Sequence, residues 1–219
     1  MQGPARWMMA GSWNARYFGL MFLMWTLMMV GMMLPSAAPT ILLYAAVIRK
    51  GADNGPVRRS IQAFAGGYLL AWTAFSLLAT LLQWQLDTHA LLTPMMISAS
   101  PWLSSAILLV AGGYQWAPQK KACLARCRSP AEFIARYWRP GVRGAFGMGW
   151  RHGLFCLGCC WALMLLLFFG GVMSLAWIAA ITLAVLLEKL APFGVKGGRI
   201  GGTALIIAGG LELAAAVWH

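Results

Sequence analysis

Side chains with nitrogen or sulfur donor atoms recur at one interval in the second half of the chain: His152, Cys156, Cys160 and Met164 are each four residues apart. On a helix that interval places them on one stripe, and Cys159, three residues after Cys156, sits beside it. Thiolate and thioether sulfurs are soft donors. They suit Cu(I), and a set dominated by thiolates also suits Zn(II). Cysteine and methionine also serve as apolar filler, and a single one in such a helix would carry no chemical meaning. Here RHGLFCLGCCWALM holds three cysteines within five residues, and KKACLARCRSP supplies two more, Cys123 and Cys127. Five cysteines are an odd number, so at least one thiol is unpaired.

Methionine is concentrated in a second segment, MFLMWTLMMVGMMLP. Met21, Met24, Met28 and Met32 follow one another at helical spacing, with Met29 and Met33 on a neighbouring stripe. Thioethers here are either an apolar face or a run of weak soft-metal ligands, of which Met28, Met32 and Met33 are the candidates. At about 1.5 Å per residue, Met32 lies roughly 20 Å below a start near Phe18. By the same rise, Cys160 lies roughly 12 Å beyond His152. If the two helices enter from opposite faces of a layer about 30 Å thick, the two sulfur sets reach similar depth.

The elements that must position these groups are membrane helices. Hydrophobic residues make up 61% of the 219 and charged residues 10%, whereas soluble domains average roughly 45–50% and 25%. Apolar runs predict about six spans, near residues 18–40, 61–86, 95–116, 152–170, 172–190 and 200–218, forming one integral-membrane domain over residues 1–219. Pro35 and Pro39 are expected to kink the first or end it near Ala38. Gly170 and Gly171 are expected to form a tight turn between the fourth and fifth. The runs lack a barrel's alternation, and lipid demands that backbone groups pair internally, so the expected class is an all-α, polytopic helical bundle.

The net charge of +12 is distributed unevenly. Apart from Arg6 and Arg16, every Lys and Arg falls in the first, third or fifth inter-span loop. The positive-inside rule puts those loops in the cytoplasm and both termini outside. The expected location is therefore a membrane, crossed several times, with the bases beside anionic lipid head groups. Nucleic-acid binding is excluded, because no basic face with base-reading side chains is present. Both cysteine clusters then lie near the reducing side, where structural disulfides do not persist. The N-terminal stretch lacks the layout of a signal peptide. Its bases outside point to a shortened start.

Few charges fall within or near spans. Glu188 and Lys189 end the fifth run, either as a snorkelling pair at the interface or with Glu188 ligating or orienting an ion at the cysteines. Glu212 lies near the outer end of the sixth, and Asp87 and His89 lie in the outer second loop. No phosphate loop, nucleophile elbow or dinucleotide fingerprint is present.

WTLMMVGMMLPSAAP, GYQWAPQKKACLARCRSP, GLFCLGCCWALM and VMSLAWIAAITLAVLLEKLAP together resemble a bacterial family of predicted metal-binding integral membrane proteins. That family is catalogued as a domain of unknown function, and some of its members are labelled copper chaperones. The resemblance runs from about Trp25 to Pro192. The matching positions are Met28, Met32, Met33 and Pro35, then Tyr114, Gln115, Pro118, Lys120, Cys123 and Cys127, then Cys156, Cys159, Cys160, Trp161 and Met164, then Glu188 and Lys189. Many relatives carry a further hydrophobic span before the Met-rich one.

Three functions are consistent with these residues. The first is binding of a soft metal, copper as Cu(I) before zinc, with onward transfer or transport. Cys156, Cys159 and Cys160 would be core ligands, Met28, Met32, Met33 and Met164 a low-affinity path, and Cys123 with Cys127 a cytoplasmic exit. His152 and Glu188 complete the candidate set. The partners would be the bilayer, the metal, and a metallochaperone or an oxidase or oxygenase assembly partner. The second is a membrane thiol–disulfide oxidoreductase using Cys156 and Cys159, because adjacent Cys159 and Cys160 pair only with strain. The third is a non-catalytic assembly scaffold, its clusters packing or holding structural zinc.

Overall fold

A computed structural model describes residues 13–52, 56–93 and 95–218. The expectations about the N-terminal stretch up to residue 12 lie outside the described residues. The elements are α1 (Ala15–Val47), a π-helical turn (Ile48–Ala52), α2 (Val57–Thr88), α3 (Pro101–Tyr114), α4 (Pro118–Arg128), α5 (Pro130–Tyr137), α6 (Gly141–Leu165), the short α7 (Leu167–Gly170), α8 (Leu175–Leu190) and α9 (Gly194–Trp218). The protein is an all-α helical bundle, with no strand among the described residues.

Each expected apolar run is helical. Ala15–Gly51, Val57–Thr88, Gly141–Gly170 and Gly194–Trp218 are long and apolar enough to cross a membrane. The third and fifth runs form α3 and α8, of 14 and 16 residues. At about 1.5 Å per residue these cover roughly 21 and 24 Å, short of a hydrocarbon layer about 30 Å thick. Before α3 the chain instead turns back on itself, with a bridge between Leu92 and Ser98 and a bond from Ser98 N to Phe168 O at 2.8 Å. Pro101, Pro118 and Pro130 open α3, α4 and α5 in the first turn, where a missing N–H costs no intrahelical bond.

Two boundaries differ from expectation. α1 does not end near Ala38; it continues past Pro35 and Pro39 to Val47. Hydroxyls gather on this stretch: Ser36 Oγ and Tyr68 Oη both donate to the Met33 carbonyl, at 2.8 and 2.9 Å. α6 starts at Gly141, eleven residues before the expected span, so the long third loop is itself helical, as α4, α5 and the first turns of α6. The expected turn after α7 is present, with Gly171 at φ 92°, a conformation natural to glycine.

The bundle is built on close helix pairs. α2 and α6 meet backbone to backbone. A Cβ on Gly67 would lie 2.7 Å from Trp150 N, one on Gly153 2.5 Å from Ala71 Cβ, and one on Gly149 would overlap the Phe64 carbonyl. α3 and α9 pair the same way: a Cβ on Gly112 would lie 2.7 Å from Gly202 O. Small residues at such crossings let backbones approach where lipid offers no hydrophobic drive. α1 packs on α2 and α8, and α4 lies against α6.

One buried ion pair ties α4 to α8. Lys120 Nζ lies 2.6 Å from Glu188 Oε2, and Gln115 Nε2 donates to Glu188 Oε1 at 3.0 Å. Lys120 also donates to Gln115 Oε1. Arg128 donates to the Glu188 backbone carbonyl at 2.6 Å. Glu188 and Lys189 are both buried, so they are not a snorkelling pair at the interface.

Two predictions follow from this packing. Gly149→Val should destabilise the protein by about 1–3 kcal/mol through overpacking, seen as a lower thermal midpoint in detergent. Gly147→Ala, whose added Cβ meets nothing within 4 Å, should leave the midpoint near wild type. Lys120→Met should cost about 3–5 kcal/mol, because it strands a buried carboxylate, and the double variant Lys120→Met/Glu188→Leu should recover much of that loss.

Candidate metal centre

The sulfur-bearing segments converge in the interior. Cys156, Cys159 and Cys160 are all buried on α6, as are Met164 on the same helix and Met29, Met32 and Met33 on α1. The α1–α6 contact brings Cys160 Sγ to 4.0 Å from Met33 Sδ. Two sulfurs that share one ion at about 2.3 Å each stand at most about 4.6 Å apart, so this separation already suits a shared ion.

The second cysteine pair, on α4, joins the same cluster. α4 lies across α6, and the Cys127 thiol hydrogen-bonds with Cys159. Cys123 sits over Gly158, where a Cβ would come within 2.7 Å of its Sγ. Glycine at that position is therefore what admits the thiol. Burial, reinforced by nearby Cys159, holds the Cys123 thiol above its ordinary pKa. The hydrogen bond with Cys159, then burial, push Cys127 well above its own. Both are protonated thiols at neutral pH, and an ion taking them as thiolates must displace protons.

The thiols of α6 are held by hydrogen bonds. Cys159 Sγ and Cys160 Sγ both donate to the Cys156 carbonyl, at 3.0 and 2.9 Å. Lys189 Nζ donates to Cys156 Sγ at 2.9 Å and to Ser36 Oγ at 3.0 Å. Tyr68 Oη stands 3.2 Å from Cys156 Sγ. In this arrangement no three His, Cys, Asp or Glu side chains among the described residues are disposed to hold an ion. Cys159 and Cys160 instead turn their sulfurs back onto their own helix. Thiols are weak donors, so these bonds yield readily to a metal.

Not every candidate joins the cluster. Glu188 is held in the pair with Lys120, and the adjacent Lys189 reaches the thiols instead. One residue along a helix turns the side chain by about 100°, so neighbours serve different clusters. His152 is buried one turn from Cys156, among the rings of Phe133, Tyr68 and Phe64 at 5.0, 5.7 and 6.3 Å. Its Nδ1 has no hydrogen-bond partner among the described residues. Met28 and Met32 line a groove of about 480 Å³ between α1 and α8, together with Met24 and Met173. Asp87 accepts from Trp13 Nε1 at 2.7 Å, far along α2 from the thiols.

Sequence reasoning named Lys189 without placing it at the thiols, and it missed Tyr68 and Met173. Lys189 carried a signal, since an ionisable group in an apolar helix marks function by default. Tyr68 and Met173 carried none, because each depends on which helix packs alongside.

No curated protein and no solved structure matches the chain. A family model described as PpoB2, copper chaperone, matches residues 22–212. That match takes in α1 from its second turn, every cysteine, the Met-rich groove and most of α9, and the chain belongs to this copper-chaperone family.

Proposed function

We propose that this protein is a multi-pass protein of a bacterial inner membrane that binds Cu(I) on the sulfurs of α6 and α1 and passes it to an acceptor on the cytoplasmic side. The observation that carries the reading is the approach of Cys160 to Met33 at 4.0 Å, beside Cys156 and Cys159. A site of thiolate and thioether favours Cu(I) over harder ions. Cys156, Cys159 and Cys160 are the retaining ligands, with Met33 and Met164 alongside.

Direction would come from ligand strength. Met24, Met28, Met32 and Met173 share one groove, a run of weak thioethers ending at Met33. Thiolates bind more strongly and draw the ion inward. Cys127, in contact with Cys159, and Cys123 form the exit. The basic loops orient this exit to the cytoplasm. Lys189 places an ammonium against Cys156; a bare thiolate in so apolar a place would be costly, and the cation offsets it. The acceptor is a soluble metallochaperone or the apo form of a copper oxidase or oxygenase.

Elemental analysis of protein purified in detergent under reducing conditions tests the reading. Wild type should hold about one copper per chain, and the Cys156→Ser/Cys159→Ser/Cys160→Ser variant should fall to background. Equal copper in the two would refute it, and zinc in place of copper would refute the choice of metal. Met33→Leu should weaken Cu(I) about tenfold, equivalent to about 1.4 kcal/mol, in competition with a Cu(I) chelator. Cys123→Ser/Cys127→Ser should load normally and release copper to that chelator several-fold more slowly.

A further inference from the structure

A cleft of about 540 Å³ opens between α8 and α9, away from the sulfur cluster. Its walls are mostly apolar, with Ala180, Ala184, Gly201 and Ala204 beside the larger Trp177 and Leu205, and Gln115 and Glu188 also line it. Phe193 closes the end nearest the α8–α9 corner. At that corner a second recess shares Phe193 and is walled by Lys121 of α4 and by Lys196 and Arg199 of α9. These three bases are exposed. None has a carboxylate partner among the described residues, because the nearest acid, Glu188, is paired with Lys120. Arg199 is anchored over the Trp116 ring, 5.4 Å from its centroid.

We propose that this cleft binds one anionic glycerophospholipid, with an acyl chain between α8 and α9 and the phosphate at Lys121, Lys196 and Arg199. Charge complementarity selects the head group, since three unpaired cations stand where the apolar wall ends. Length selects a lipid over a partner helix. From Phe193 to Ala208 the cleft runs roughly 22 Å at about 1.5 Å per residue. That exceeds one leaflet's hydrocarbon, about half of 30 Å, and falls short of the whole layer a spanning helix would need. The volume lies within the range of roughly 300–1,000 Å³ typical of ligand cavities. The inference is independent of the metal reading.

Native mass spectrometry of the full chain in mild detergent tests it, with phosphatidylglycerol, phosphatidylcholine or inorganic phosphate added. Wild type should retain one phosphatidylglycerol at least fivefold better than phosphatidylcholine, and inorganic phosphate should not displace it. The surface variant Lys121→Gln/Lys196→Gln/Arg199→Gln should lose that preference while still holding either lipid weakly. Ala184→Phe, which fills the cleft, should lose both. Equal retention of the two lipids by wild type, an unchanged preference in the triple variant, displacement by inorganic phosphate alone, or a dimer in place of the lipid adduct would overturn the proposal. Because the triple variant alters only exposed side chains, it remains informative if Ala184→Phe fails to fold.

Discussion

Contact between the backbones of α2 and α6 determines where everything else can stand. Gly67, Gly149 and Gly153 leave no room for a Cβ at their crossing, so the two helices have one rotation and one depth relative to each other. Cys156 and Cys160 continue the stripe of Gly149 and Gly153 on α6, so that rotation fixes where their thiols stand among α1, α2 and α8. It also sets Tyr68 of α2 against Cys156, and brings the Met33 carbonyl within reach of the same hydroxyl. A looser crossing would let α6 rotate, and the three thiols would then face lipid or a different neighbour.

Around that crossing, two adjacent residues of α8 do separate work. Glu188 faces α4 and α9, where Lys120 and Gln115 satisfy both of its oxygens. Lys189 faces α1 and α6, where Ser36 and Cys156 receive its ammonium. The ion pair holds the end of α8 in place, and with the end of the helix fixed the lysine cannot withdraw from the thiols. Buried charges demand partners, and here the partners come from three other helices, so the charges lock the assembly as well as the site.

The thiols combine concentration with restraint. Five sulfhydryls from two helices lie close together, yet two of them are turned back to a carbonyl and one is capped by an ammonium. None is paired in a disulfide. On the proposed reading, such a cluster would be a store of donors whose final geometry the arriving ion completes. The methionine groove on one side and the α4 thiols on the other give it two distinct flanks of different donor strength.

Much of this was legible in the chain itself. Hydropathy established the helical class and the six apolar runs, because burying a backbone in lipid leaves few alternatives. Spacing established the sulfur stripes on α1 and α6, because helical geometry is local. The turn at Gly171 was legible for the same reason. What the chain could not reveal was set between helices. α1 runs through both prolines to Val47, and just before them Ser36 and Tyr68 of α2 bond the Met33 carbonyl, a contact that depends on where α2 packs. Glu188 turns from the cysteines while Lys189 turns toward them, because the rotation of α8 is decided by packing and a one-residue step changes the face. The meeting of Met33 with Cys160, and of Cys127 with Cys159, joins residues far apart in the chain. Local periodicity determines which side chains share a face; only the tertiary structure decides which faces meet.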